Sequence, residues 1–246
     1  MSDTVALTWR QYRLERRMFW RNPTAAFFSF ALPLLFLALF GAIFSGSQEN
    51  LDIIVPGLAG MSIMATTFNA LAMQLVFLRE AGVLKRMRGT PLPESAYLGG
   101  IFGSAITNAA IQIGIIVVAG KLFFHIGWPA DWAQLALFTV VGVLCFASLG
   151  VAYSHVIPNF DAAPAFTNLV FLPVIFISGV FYDVDDAPAF LHDIARALPL
   201  THVINGLSDA LITGTANAGA LAVVAVWTAF GLFFAVRGFS WEQRRH

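Results

Sequence analysis

Charge is scarce in this sequence, and its scarcity excludes most water-soluble proteins. Only 11% of the 246 residues are charged and 58% are hydrophobic, whereas about a quarter of a typical soluble domain is charged. The 14 basic and 14 acidic residues balance to zero net charge, which argues against a nucleic-acid-binding protein. The single cysteine, Cys145, excludes an intrachain disulfide and has no partner at metal-ligand spacing. The composition therefore predicts an integral membrane protein without a metal site.

Six stretches contain no Asp, Glu, Lys or Arg, and each can form a helix of about 20 residues that crosses a hydrocarbon core of roughly 30 Å. They are Asn22–Gln48, Ile53–Leu78, Ser95–Gly120, Trp132–Phe160, Ala162–Tyr182 and Ala210–Val236. Hydrophobic residues run continuously through them, which favours helices over the alternating strands of a barrel. We expect an all-α integral membrane fold with six transmembrane helices, in one transmembrane domain over residues 1–246.

Basic residues are concentrated in the N-terminal segment, the loop after the second stretch and the C-terminus. These regions hold 12 of the 14 Lys and Arg residues, so the positive-inside rule predicts that both termini are cytoplasmic. Residues 1–22 are expected to form an amphipathic helix at the cytoplasmic membrane surface, with Val5, Trp9, Tyr12 and Phe19 toward lipid. Its arginines can also act simply as topogenic charge.

Two polar segments predict short helices outside the spans. Residues 79–94 have helix-compatible apolar spacing, clustered cations and a Pro-rich stop, which is consistent with a charged anchor or with a docking ridge. In residues 183–214, Asp185 or Asp186 can cap a helix with Pro188 in its first turn, and Pro199 ends that helix before a second one. Both have an apolar stripe too short to span, so we expect external helices that pack on the bundle or re-enter it.

The spans offer little chemistry of their own. No phosphate-binding loop is present, because residues 115–122 (IIVVAGKL) lack the first glycine and the Ser or Thr of that motif. The spans carry no buried charge, and polar side chains such as Asn108 and Gln112 serve either interhelical hydrogen bonding or a weakly polar lining. Gly99 and Gly103 indicate tight helix packing. An intramembrane serine protease, with Ser178 and His155 or His202, is the alternative from another class, although a Gly-x-Ser context is missing.

Two strings carry a family resemblance. They are FLREAGVLKRMRGTPLPESAYLGG (Phe77–Gly100) and LPVIFISGVFYDVDDAPAFLHDIARALPLTHVINGLSDAL (Leu172–Leu211). The first resembles a charged loop followed by T-P-L, and the second a P-x-x-F-x-S-G…P…P-L-T-H signature. With the basic N-terminal helix and six spans, the chain resembles the permease subunits of ABC-2 type transporters, which are bacterial exporters of drugs, lipids and polysaccharides.

The resemblance implies a permease subunit in the bacterial cytoplasmic (inner) membrane that exports a hydrophobic or amphiphilic, drug- or lipid-like compound. A polysaccharide or glycolipid cargo is the alternative within the class. Such a chain is not an enzyme and binds no cofactor; ATP and magnesium belong to a separate ATP-binding subunit. The expected partners are that subunit, a second identical or similar permease chain and membrane lipids, but no nucleic acid.

The resemblance also assigns three sets of residues. Coupling to the ATP-binding subunit falls on Arg79, Glu80, Val83, Leu84, Lys85, Arg86 and Met87. The translocation path falls on Thr66, Asn69, Asn168 and Phe171. The external gate and helices fall on Ser178, Gly179, Pro188 and Pro199.

Overall fold

The computed structural model describes residues 2–44 and 47–238, and every regular element within these ranges is helical. In chain order the elements are α1 (Ser2–Arg21), α2 (Pro23–Ile43), α3 (Gln48–Met64), a π turn (Ala65–Asn69), α4 (Ala70–Glu80), α5 (Val83–Arg88), α6 (Glu94–Phe124), α7 (Trp132–Tyr153), α8 (Ala163–Ile177), a 3-10 turn (Val184–Asp186), α9 (Ala189–Ala197), α10 (Pro199–Ser208), a second π turn (Asp209–Thr213) and α11 (Ala218–Gly238). The all-helical prediction is confirmed for these residues.

Five helical segments of the described chain are long and apolar enough to cross a membrane. They are Ala26–Ile43, Glu49–Glu80, Glu94–Phe124, Trp132–Tyr153 and Ala218–Arg237. The fifth predicted stretch forms the shorter apolar helix α8, of 15 residues, which extends about 22 Å at 1.5 Å per residue. It ends before Gly179, whose φ of 76° takes the chain out of the helix.

The sixth predicted stretch begins too early. Residues from Ala210 to Thr213 belong to the π turn that ends α10, and Gly214, with a φ of 70°, terminates it. The spanning helix α11 starts only at Ala218. Asn217 caps it, because its side-chain oxygen accepts a hydrogen bond from the Ala220 backbone N–H at 2.9 Å. Sequence hydropathy alone does not reveal this break, since the residues around it are uncharged.

The bundle core is built on α7, which packs along α11 and also contacts α3, α6 and α10. Helix α10 is inserted into this core: Leu200, Val203 and Leu207 are fully buried. A Cβ on Gly206 would lie 2.1 Å from the Phe138 ring, so glycine allows α10 to approach α7. The predicted second short helix therefore packs into the bundle rather than over it.

The N-terminal helix α1 packs against the first half of α6. A Cβ on Gly100 would lie 2.9 Å from the backbone nitrogen of Tyr12, and the Tyr12 and Thr107 hydroxyls are hydrogen-bonded at 3.2 Å. The glycines of α6 thus leave the space in which α1 packs closely against it. The expectation that Tyr12 faces lipid is wrong, because its polar tip has a partner on α6; Val5 and Trp9 do face outward.

Candidate functional site

The segment predicted to couple to a partner is a short helix that stands on a buried anchor. Gly82, with a φ of 67°, makes the turn from α4 into α5. Leu84 is fully buried in an apolar cluster, and Met87 packs against the same cluster. Lys85 and Arg86 are exposed on the opposite side. Together with the exposed Arg88, the helix therefore presents three cations. We call the end of the bundle that carries α5 the basic end.

The two residues that precede this helix have different surroundings. Arg79 donates to the Ser154 backbone oxygen at 3.0 Å and to the Ser154 hydroxyl at 3.2 Å. The exposed Glu80 accepts a hydrogen bond from the Phe160 N–H at 2.9 Å. Both side chains tie the end of α4 to the connection between α7 and α8. Among the coupling residues, Arg79 and Glu80 connect the end of α4 to the α7–α8 connection. Lys85 and Arg86 are exposed instead.

A polar cavity of about 300 Å³ lies between α1, α2, α4 and α6, toward the basic end. Its polar lining comes from five elements and the α1–α2 junction, and it includes a carboxylate: Glu15, Asn22, Ser29, Thr66, Gln74, Ser104, Asn108 and Gln112. The side chain of Arg16 donates to the Asn108 oxygen, and the Gln112 amide donates to the Ser29 backbone oxygen at 2.7 Å. We call this space the Glu15 cavity.

Glu15 is the feature that the sequence did not reveal. Its carboxylate accepts hydrogen bonds from the Gln11 amide at 2.8 Å and the Gln74 amide at 3.5 Å, and only 8% of the residue is exposed. Burial raises the pKa of this carboxyl above its ordinary value, and the two amide hydrogen bonds oppose the shift. The six predicted stretches contain no charged residue, but the interface helix α1 places a carboxylate beside them. The signal was Gln11 and Glu15 at i, i+4 on one helix face.

An apolar trough of about 780 Å³ adjoins the Glu15 cavity, and the two share Ser29, Thr66, Ala70 and Gln112. Five phenylalanines of α2 and α8 belong to its lining, including Phe36, Phe40, Phe171 and Phe176. Of the predicted path residues, Thr66 and Phe171 therefore lie on one continuous surface. Asn69 is half-buried, with a side-chain oxygen that lacks a hydrogen-bond partner among the described residues. Asn168 is exposed on α8 and does not line the trough.

The predicted gate residues lie at the opposite end of the bundle. Ser178 and Gly179 line a polar cavity of about 360 Å³ together with residues of α9 and α10. A Cβ on Gly57 of α3 would lie 2.1 Å from the Val180 carbonyl oxygen, so this loop rests directly on α3. Pro188 is the N-cap of α9, and Pro199 occupies the first turn of α10. The expectation that Pro188 lies inside the first turn is wrong by one position.

This cavity does not assemble a serine protease site. Within the described part of the chain, the buried Ser178 hydroxyl has no hydrogen-bond partner. The His202 ring nitrogen Nε2 is hydrogen-bonded to the Arg196 backbone oxygen at 2.8 Å instead. A nucleophilic serine requires a base within hydrogen-bond reach. His192, the other histidine that lines the cavity, pairs with Asp185 at 3.2 Å.

The bundle, its paired short helices and its anchored cationic loop define a multi-pass membrane transport protein. The family model described as "ABC-2 type transporter" matches residues 2–212. The chain therefore belongs to the ABC-2 type transporter family, as the resemblance predicted. Membership makes it a transmembrane subunit and not an enzyme.

Relatives named as permeases are similar over part of their length. "Inner membrane transport permease YadH" of Escherichia coli (strain K12) is 24% identical over 156 residues, which cover 63% of this chain and 60% of that protein. "Nodulation protein J" of Rhizobium leguminosarum bv. viciae is 30% identical over 150 residues, 60% of this chain and 57% of the relative. "Linearmycin resistance permease protein LnrN" of Bacillus subtilis (strain 168) is 24% identical over 174 residues, which cover 70% of this chain and 45% of that protein. The matched region thus spans about three-fifths of the first two relatives.

Proposed function

We propose that this chain is the membrane-spanning half of an ATP-driven exporter. It crosses the membrane six times, with α8 as the shortest crossing and the basic end in the cytoplasm. Two such chains, identical or similar, enclose the path, and a separate subunit binds ATP and magnesium. The family membership supports this arrangement, and so does the concentration of arginine and lysine at one end.

The observation that carries the proposal is the geometry of α5. Its apolar side is anchored by the fully buried Leu84, while Lys85 and Arg86 are held out from the bundle. A helix fixed in this way can transmit a displacement of a bound partner to the spans. Arg79 and Glu80 extend the connection, because they bond the base of α5 to the chain that leads into α8.

The cargo that fits best is hydrophobic or amphiphilic. The trough beside Thr66 and Phe171 is lined almost entirely by apolar side chains, which suits an apolar chain. A polysaccharide would need hydrogen-bonding groups along its path, and a buried sugar hydroxyl without a partner is costly. The Bacillus subtilis relative is named for resistance to linearmycin, which supports a drug-like cargo for this chain as well.

The test is purification of the full-length chain from its own membranes, followed by identification of stoichiometric partners. We expect an ATP-binding subunit, and we expect the double variant Lys85→Ala with Arg86→Ala to lose it while folding normally. Arg196→Ala is the matched control, because Arg196 is an exposed cation at the opposite end. Retention of the subunit by the double variant would contradict docking on α5. A chain without any ATP-binding partner would contradict the exporter.

A further inference from the structure

We propose that the Glu15 cavity binds the cationic head of an amphiphile, a primary ammonium group, whose apolar tail lies in the adjoining trough. This inference deepens the proposed function and rests on it, since it names the chemical class of the cargo. It is carried by three independent features of the cavity: its charge, its unused hydrogen-bond acceptor and its continuity with the trough.

The charge of the cavity is negative and locally uncompensated. Glu15 is buried, and its two hydrogen-bond donors, Gln11 and Gln74, are neutral amides. In residues 2–44 and 47–238, the side chains that hydrogen-bond to its carboxylate are these two amides, and neither is basic. The neighbouring Arg16 does not pair with Glu15: it donates to Asn108 in the cavity wall and lies over the rings of Phe19 and Trp20. A buried carboxylate without a counter-ion is unfavourable, so a cation in this cavity is stabilised.

The cavity also presents an acceptor that nothing in the described chain satisfies. Gln112 is 3% exposed; its amide nitrogen donates to the Ser29 backbone, but its side-chain oxygen has no partner. An ammonium group carries three N–H donors and no acceptor. It can therefore donate to the Glu15 carboxylate, whereas an anionic head would meet that carboxylate and be repelled.

The trough supplies the place for the tail. Ser29, Thr66, Ala70 and Gln112 line both spaces, so the cavity for the polar head directly adjoins the trough for the apolar tail. The mouth of the Glu15 cavity is formed by the exposed Asn22 and by Met18, which is 44% exposed. Both residues belong to the junction of the interface helix with α2, the level at which an amphiphile resting in the membrane presents its head.

The experiment uses photo-crosslinking to the full-length chain in phosphatidylcholine nanodiscs. The two probes are dodecylamine and dodecanol, each with a diazirine in its tail, and the readout is the amine-to-alcohol ratio of labelling on trough peptides. We expect Glu15→Gln to lower this ratio by at least about tenfold, the loss of one charge-assisted hydrogen bond. Gln112→Leu should lower it by a smaller factor. Glu49→Gln, the same change at an exposed carboxylate outside both cavities, should leave it unchanged.

The amine-to-alcohol ratio still reports on the head group if a variant perturbs the trough, because labelling by both probes then changes by the same factor. A ratio that is the same in Glu15→Gln and the parent chain would overturn the proposal. Addition of phosphatidylethanolamine separates two sources of the same chemistry: competition identifies a membrane lipid as the occupant, and its absence identifies an amine that is not a bulk lipid. Crosslinking requires no ATP-binding subunit, so its failure is distinguishable from failure of the exporter assignment.

Discussion

The guanidinium of Arg79 bridges α4 to the end of α7, since it donates both to the Ser154 backbone oxygen at 3.0 Å and to the Ser154 hydroxyl at 3.2 Å. The Ser154 hydroxyl in turn donates to the Val151 carbonyl at 2.7 Å. A helix end that would otherwise leave carbonyl groups unsatisfied is thereby closed by a side chain from another span. We expect a displacement of α5 to reach α7 through this contact.

Replacement of Arg79 should weaken the bundle rather than remove a docking contact. We expect Arg79→Ala to cost about 2 kcal/mol, the typical worth of hydrogen bonds to a charged group, and Arg79→Lys to cost less because it keeps the charge. Thermal unfolding in detergent measures both. The double variant of Lys85 and Arg86 is the contrast, since it should leave the midpoint unchanged. An Arg79→Ala chain as stable as the parent would show that the bridge does not contribute.

Two glycines of the spans should respond in opposite ways to the same substitution. A Cβ on Gly57 would lie 2.1 Å from the Val180 carbonyl oxygen, whereas a Cβ on Gly114 would meet nothing within 4 Å. We expect Gly57→Ala to destabilise the chain by about 1–3 kcal/mol, as overpacking does. Gly114→Ala should be neutral or stabilising by up to about 1 kcal/mol, because alanine is the better helix former. Equal unfolding midpoints for the two variants would contradict the close approach of Gly57.

Stability should depend on pH through Glu15. Because burial raises its pKa above 4.5, the folded chain holds this proton more tightly than the unfolded chain does. The contribution of the Glu15 proton to the free energy of unfolding is fully present below about pH 4.5. It is lost as the pH rises through the pKa of Glu15 in the folded chain. The thermal unfolding midpoint of the parent chain, relative to that of the Glu15→Gln variant, should therefore decline as the pH rises from 4.5 toward neutrality. A constant difference between parent and Glu15→Gln would contradict the pKa shift.

The path can be blocked at Thr66. Its side chain borders both the Glu15 cavity and the trough, so Thr66→Phe should fill the passage and lower ATP-dependent export at least about tenfold, as expected when one well-placed group obstructs a site. Asn168→Phe is the matched control, because Asn168 is exposed and does not line the trough. ATP-dependent uptake into inverted vesicles, which corresponds to export from the cell, reports the effect, with the amount of assembled complex measured in parallel. Undiminished export by Thr66→Phe would place the path elsewhere.

The helical class and most helix positions followed from charge-free runs, since lipid tolerates no unpaired backbone and few charges. The same reasoning placed the α6 glycines in a tight contact, although it did not identify α1 as the partner. The start of α11 was missed because Gly214 and Asn217, which set it, are uncharged.

The site was harder to predict than the fold. Glu15 lies in a segment whose arginines dominate its composition, so the helix was expected to keep its polar residues in water. Its burial depends on Gln74, which is 59 residues away in the chain, and no local pattern indicates such a contact. By contrast, the anchored α5 helix was predictable, because Val83, Leu84 and Met87 recur at helical spacing.

The π turn at Ala65–Asn69 makes one helix present two independently oriented surfaces. It lies against α7 where Gly150 leaves room: a Cβ there would be 2.8 Å from the Phe68 carbonyl oxygen. A π turn accommodates one residue more than an α turn, so its removal would rotate everything after it by about 100°. Gln74 would then turn away from Glu15 while Met61 stayed in the trough. The relative position of the Glu15 cavity and the trough therefore depends on the rotation of α4 about its own axis. A single inserted residue in the second span sets that rotation.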